Sequence, residues 1–114
     1  MSQDLIDKIM RAREVRIESG DLVFIISRPT ELDIALAKKI DVSERQMFSK
    51  YVTGWEGMTE SQIISSGDNT PVEFDHDLFC VWIEDHPEHW MPIAQGILKS
   101  YQAHKERREE ALKN

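Results

Sequence analysis

Four histidines and a single cysteine are the residues of this chain whose types could hold a metal ion. His76 and Cys80 stand four apart, which on a helix would let both reach one ion. Zinc needs two further ligands, and no second pair repeats that spacing: His86 and His89 flank Pro87 instead. Cys80 lies within Leu78-Phe79-Cys80-Val81-Trp82-Ile83 and reads as a small core residue. Nucleophilic chemistry finds no better support. There is no G-x-S-x-G elbow, and no basic residue stands beside Cys80 to lower its thiol pKa. Ser65-Ser66-Gly67-Asp68 lacks the lysine and the glycine spacing of a phosphate cradle. The carboxylates are many, and no surrounding sequence marks one as an acid or base. The expectation is a non-enzymatic protein with no catalytic residue, no metal and no cofactor.

What must be positioned is therefore surface and core. The 114 residues suit one domain, and three Trp, four Phe and two Tyr supply anchors for a modest core. One cysteine allows no internal disulfide, which favours a reducing compartment. No apolar run approaches membrane-spanning length, and the acid-containing start MSQDLIDKIM is unlike a signal peptide. The formal net charge of -7 argues against general nucleic-acid binding. No Lys or Arg stands between Lys50 and Lys99, a stretch holding Glu56, Glu60, Asp68, Glu73, Asp75, Asp77, Glu84, Asp85 and Glu88. Such acids serve as helix caps and solvated faces, or as a surface that meets a basic partner.

The first ten residues predict at most a short helical turn. From Arg13 to Ile26, Val15 and Ile17 alternate with charges, Ser19-Gly20-Asp21 forms a turn, and Leu22-Val23-Phe24-Ile25-Ile26 follows, which predicts a β-hairpin. Thr30 with Asp33 reads as an imperfect capping box for a helix whose Leu32, Ala35, Leu36 and Lys39 share a face. A second helix is predicted from Asp41, with Glu44 at its box position and Phe48, Tyr51, Val52 and Trp55 on its apolar side, ending at Gly54 to Gly57. Thr59 and Gln62 make another box, and 65–71 is loop by composition. Asp75 caps a helix that buries Leu78, Phe79, Trp82 and Ile83, with Phe74 against Phe79 as a staple. The final helix gathers Trp90, Ile93, Ile97, Leu98 and Tyr101 on one side, with Gly96 allowing close approach and Pro92 beginning or kinking it. The fold class expected is α+β and mostly helical, an N-terminal hairpin packed with about four helices. Residues 1–103 form the domain and 104–114 a charged, exposed tail.

Three short motifs, in order, carry a resemblance. They are Val52-Thr53-Gly54-Trp55-Glu56-Gly57, Pro71-Val72-Glu73-Phe74 and Asp85-His86-Pro87-Glu88-His89-Trp90, preceded by Arg28-Pro29-Thr30-Glu31-Leu32-Asp33. Over roughly residues 22 to 101 the chain resembles the tail assembly chaperones of long-tailed bacteriophages and their prophage relatives. Gly54, Trp55, Gly57, Phe74 and Trp90 are the structural motif residues, and the aromatics among them are expected to build the core. Trp55 in particular is expected to be buried beside the hairpin and the helix from Asp75.

The resemblance implies a chaperone that binds the tape measure protein and keeps it soluble while tail-tube subunits polymerise. It implies action in the bacterial host cytoplasm and absence from the mature virion. The tail tube protein and further copies of the chain are secondary partners; nucleic acid and membrane are not. Glu56, Glu60, Glu73, Asp77, Glu84, Asp85 and Glu88 form the candidate partner-binding stretch. A rival reading is a small acidic regulatory or antitoxin-like protein that occupies a basic partner.

Overall fold

The computed structural model describes residues 2–37 and 44–113. It opens with a helix, α1 (Ser2–Ala12), and the hairpin strands β1 (Glu14–Ser19) and β2 (Leu22–Ser27). Two helices follow, α2 (Glu31–Ala37) and α3 (Glu44–Tyr51), and then a third strand, β3 (Val52–Glu56). A short helix α4 (Glu60–Ile63), α5 (His76–Ile83), a 3₁₀ turn (Pro87–His89) and the long α6 (Trp90–Lys113) complete the chain. The architecture is α+β and mostly helical, with an antiparallel sheet ordered β1-β2-β3. Lys39 and Asp41, assigned above to helix faces and starts, lie outside the described residues.

The hairpin and the caps form where the side chains direct them. Val15 and Ile17 pair with Ile26 and Phe24, so alternate residues point to one face. Thr30 and Asp33 exchange hydrogen bonds, each backbone N–H donating to the other side chain at 2.9 and 3.1 Å. The Thr59 N–H donates to Gln62 Oε1 at 2.8 Å, and Asp75 Oδ1 accepts from the Leu78 N–H at 2.9 Å. Phe74 and Phe79 meet with ring centroids 5.9 Å apart, the staple at the start of α5.

The segment after Tyr51 corrects the helical reading. Val52–Glu56 is a strand, not the end of a helix, and it pairs with β2. A register shift between Ile25 and Ile26 leaves Thr53 as an extra residue, so Val52 and Trp55 both face the core although three apart. Gly54 lies opposite Ile25, where a β-carbon would come within 3.3 Å of Ile25 Cδ1. Gly57 has φ +85°, which favours glycine, as the chain leaves the sheet.

One face of the sheet carries the core. Phe24 and Ile26 from β2 and Val52 and Trp55 from β3 join Phe48, Phe79, Trp82, Ile93 and Ile97 from the helices. α6 crosses β1 closely: a β-carbon on Gly96 would come within 2.6 Å of Ile17 Cγ1. Two helices differ from expectation. Leu32 and Leu36 of α2 are exposed instead of packed, and α1 is a full helix with no buried residue. Beyond the core α6 continues through 104–113, steadied by Glu31, which accepts from the Tyr101 hydroxyl at 3.0 Å and lies 3.3 Å from Arg108. Among the described residues, no helix is long and apolar enough to cross a membrane.

Candidate protein-binding surface

The motif residues are mostly structural. Trp55 is buried, its indole N–H donates to the Val72 carbonyl at 2.8 Å, and its ring meets Phe74, Phe79 and Trp82 edge-on. Phe74 is half-buried against the same cluster. Trp90 departs from the expected core position: it is 37% exposed, and its indole N–H donates to the Ile83 carbonyl at 2.6 Å. Leu98 is likewise exposed and not on the packed side of α6.

The candidate acidic residues are exposed and spread over several elements. Glu56 on β3 pairs with Arg16 of β1 across β2, and each holds the other charged: the carboxyl lies below its ordinary range and the guanidinium above. Glu60 opens α4, and Glu73 precedes α5. Asp77, Glu84 and Asp85 share the outer side of α5 and its end, around an exposed Val81, and Glu88 follows in the 3₁₀ turn. Asp68, in the loop, accepts from the Thr70 N–H at 2.8 Å, a local turn contact.

Two constellations bear on chemistry. His76 donates through Nε2 to the Ser49 carbonyl at 2.6 Å, so that nitrogen carries its proton and is not free to hold a metal with Cys80. No cluster of metal-ligating side chains occurs among the described residues. The second has no local signature: Ser19 Oγ and His89 Nδ1 share a hydrogen bond of 2.6 Å across 70 residues. Ser19 is 5% exposed, so its hydroxyl is largely withdrawn from solvent. His89 lies against Phe24 and Trp82, and burial lowers its pKa. The pair pins the 3₁₀ turn to the end of the hairpin. His86 stacks on Trp82 at 4.2 Å and donates to its carbonyl, packing the same corner.

The surface that sequence reading missed is α1. Leu5, Ile6, Ile9 and Met10 recur one and four residues apart and line one side of the helix, all of them exposed, with Leu5 at 62%. The spacing was present in the sequence as a helical signal. Gln3 and Asp7, joined by a hydrogen bond of 2.9 Å, belong to the polar side. No protein-family model, curated protein or solved structure matches the chain.

Proposed function

We propose that this protein is a non-enzymatic assembly chaperone of the phage-tail type, which holds a tape measure protein soluble in the bacterial cytoplasm until the tail tube forms around it. The observation that carries the binding role is the apolar side of α1, four large side chains that no described part of the fold buries. A monomer seldom leaves such a stripe on a well-formed helix unless another surface covers it. The choice of partner rests on the ordered motifs from Arg28 to Trp90. Apolar contact through α1 supplies the affinity, and the exposed acids raise the rate of encounter with a basic segment.

The test is binding kinetics of the immobilised protein with overlapping tape measure fragments at low and at several hundred millimolar salt. Because exposed charges are screened within about 8 Å at physiological salt, added salt should slow association and leave dissociation nearly unchanged. Absence of binding to any fragment would remove the chaperone reading. The exposed Asp77, Glu84 and Asp85 around α5 favour a second reading, an acidic regulator that occupies a basic partner. Dissociation that accelerates steeply with salt would select it.

A further inference from the structure

A basic groove runs along an otherwise acidic molecule. It has a volume of about 620 Å³ and lies between β1 and one side of α6. Gly96, Ser100 and Ala103 form part of its α6 wall, and Arg13, Arg28, Lys99 and Arg107 bring positive charge to it. Glu18 is the acid among its lining residues. Lys99 and Arg107 are exposed and form no ion pair among the described residues. Arg13 Nε is buried without a hydrogen-bond partner among them. Arg28 is crowded by burial and by the charges of Arg13 and Arg107, which together lower its guanidinium pKa. Clustered like charges of this kind are relieved by an anion.

The strand wall has its own unmet valence. β1 is the terminal strand of the sheet. The Arg28 N–H donates to the Arg13 carbonyl at 2.8 Å, so Arg13 and Arg28 form a hydrogen-bonded pair. Antiparallel pairs alternate, so Val15 and Ile17 bond inward to β2, while the backbone N–H and C=O groups of Glu14, Arg16 and Glu18 point away from it. An edge of this kind is a template for an added strand, and flanking charges restrict what can join it.

We propose that this groove captures an extended, acidic segment of a partner protein, which adds to β1 as a fourth strand beneath α6. The segment's backbone meets Glu14, Arg16 and Glu18, and its carboxylates meet Lys99, Arg107 and the Arg13–Arg28 pair. From Pro92 to Arg107 the helix wall is about 22 Å long, room for about seven extended residues. This site adjoins α1 through Ala12 and Arg13, and its occupancy does not depend on the chaperone reading.

The probe is the capped peptide Ac-(Glu-Val)₄-NH₂, followed by calorimetry and by amide hydrogen exchange of the full chain. Binding should slow exchange at Glu14, Arg16 and Glu18 in particular. Peptides N-methylated on every Glu or on every Val should differ, one set losing binding at least about tenfold and the other keeping it, because only alternate amides face β1. Lys99→Glu with Arg107→Glu, both at exposed positions, should weaken binding at least about tenfold with the circular dichroism unchanged. Equal binding by the two methylated peptides would overturn strand addition. Binding of Ac-(Lys-Val)₄-NH₂ or of an oligothymidylate as tight as that of the acidic peptide would overturn the assignment of an acidic protein segment, and so would no binding at millimolar peptide.

Discussion

α1 and α5 are both short helices with a side of large apolar residues, yet they have opposite fates. α5 buries Phe79, Trp82 and Ile83 against the sheet, whereas α1 buries nothing. α5 is entered through an Asp75 cap and an aromatic staple that aim its stripe at Phe24 and Trp55. α1 is joined to β1 through a single residue, Arg13, and no element of the described fold lies over its apolar side. Periodicity alone therefore does not decide what a helix contacts; the connection and its exit direction decide it. A stripe that the fold does not use remains available to another molecule.

The contrast can be broken at its strong end first. Trp55→Ala and Phe79→Ala should each cost about 3–5 kcal/mol, the range for aromatic truncation in a core. Urea unfolding would show it as a lower midpoint, and an unchanged midpoint would mean that the aromatic cluster does not hold the fold. Gly96→Ala should cost about 1–3 kcal/mol through overpacking against Ile17. Adding Ile17→Val, which removes the nearest methyl, should recover part of that loss in a double-mutant cycle.

A smaller, pH-dependent effect belongs to His89. Burial holds its folded pKa below the ordinary value of 6.5, with Glu88 pulling upward and His86 downward. The unfolded chain therefore takes up the proton first. Stability should be level above about pH 7 and fall as pH drops through 6.5 toward the folded pKa. His89→Gln should flatten melting temperature between pH 7.5 and 5.5; an unaltered slope would assign the proton elsewhere. The smallest effect on stability is expected at α1. Leu5→Asp with Ile9→Asp should change the unfolding free energy by no more than about 0.5 kcal/mol per site, as exposed positions do. The same pair should abolish partner capture, and a cooperative loss of stability would show that α1 packs on its own domain.

Much of the fold was legible where signals are local. The Thr30–Asp33 and Thr59–Gln62 boxes, the Asp75 cap and the turn at Gly20 each depend on residues within a few positions. β3 was not legible, because its bulge places Val52 and Trp55 three apart on the same face and so imitates a helical period. Only the partner strand β2 distinguishes the two. Spacing gives Leu32 and Leu36 a packed face, but both are exposed among the described residues. Ser19 with His89, and the groove beside β1, unite residues about 70 or more apart in the chain and leave no local trace. α1 is the reverse case: its spacing is plain in the sequence, and what the structure adds is that no described element buries it.

α6 has a mechanical consequence. Its 24 residues make a rod about 36 Å long, embedded at Ile93 and Ile97 and stayed farther along by Glu31. A load applied near Lys113 would turn about the embedded half and strain the Glu31 stay first, so tension on the rod would loosen α2 before it reached the sheet. A fluorophore fixed near the tip would thus report bending of this rod while the aromatic half stayed still.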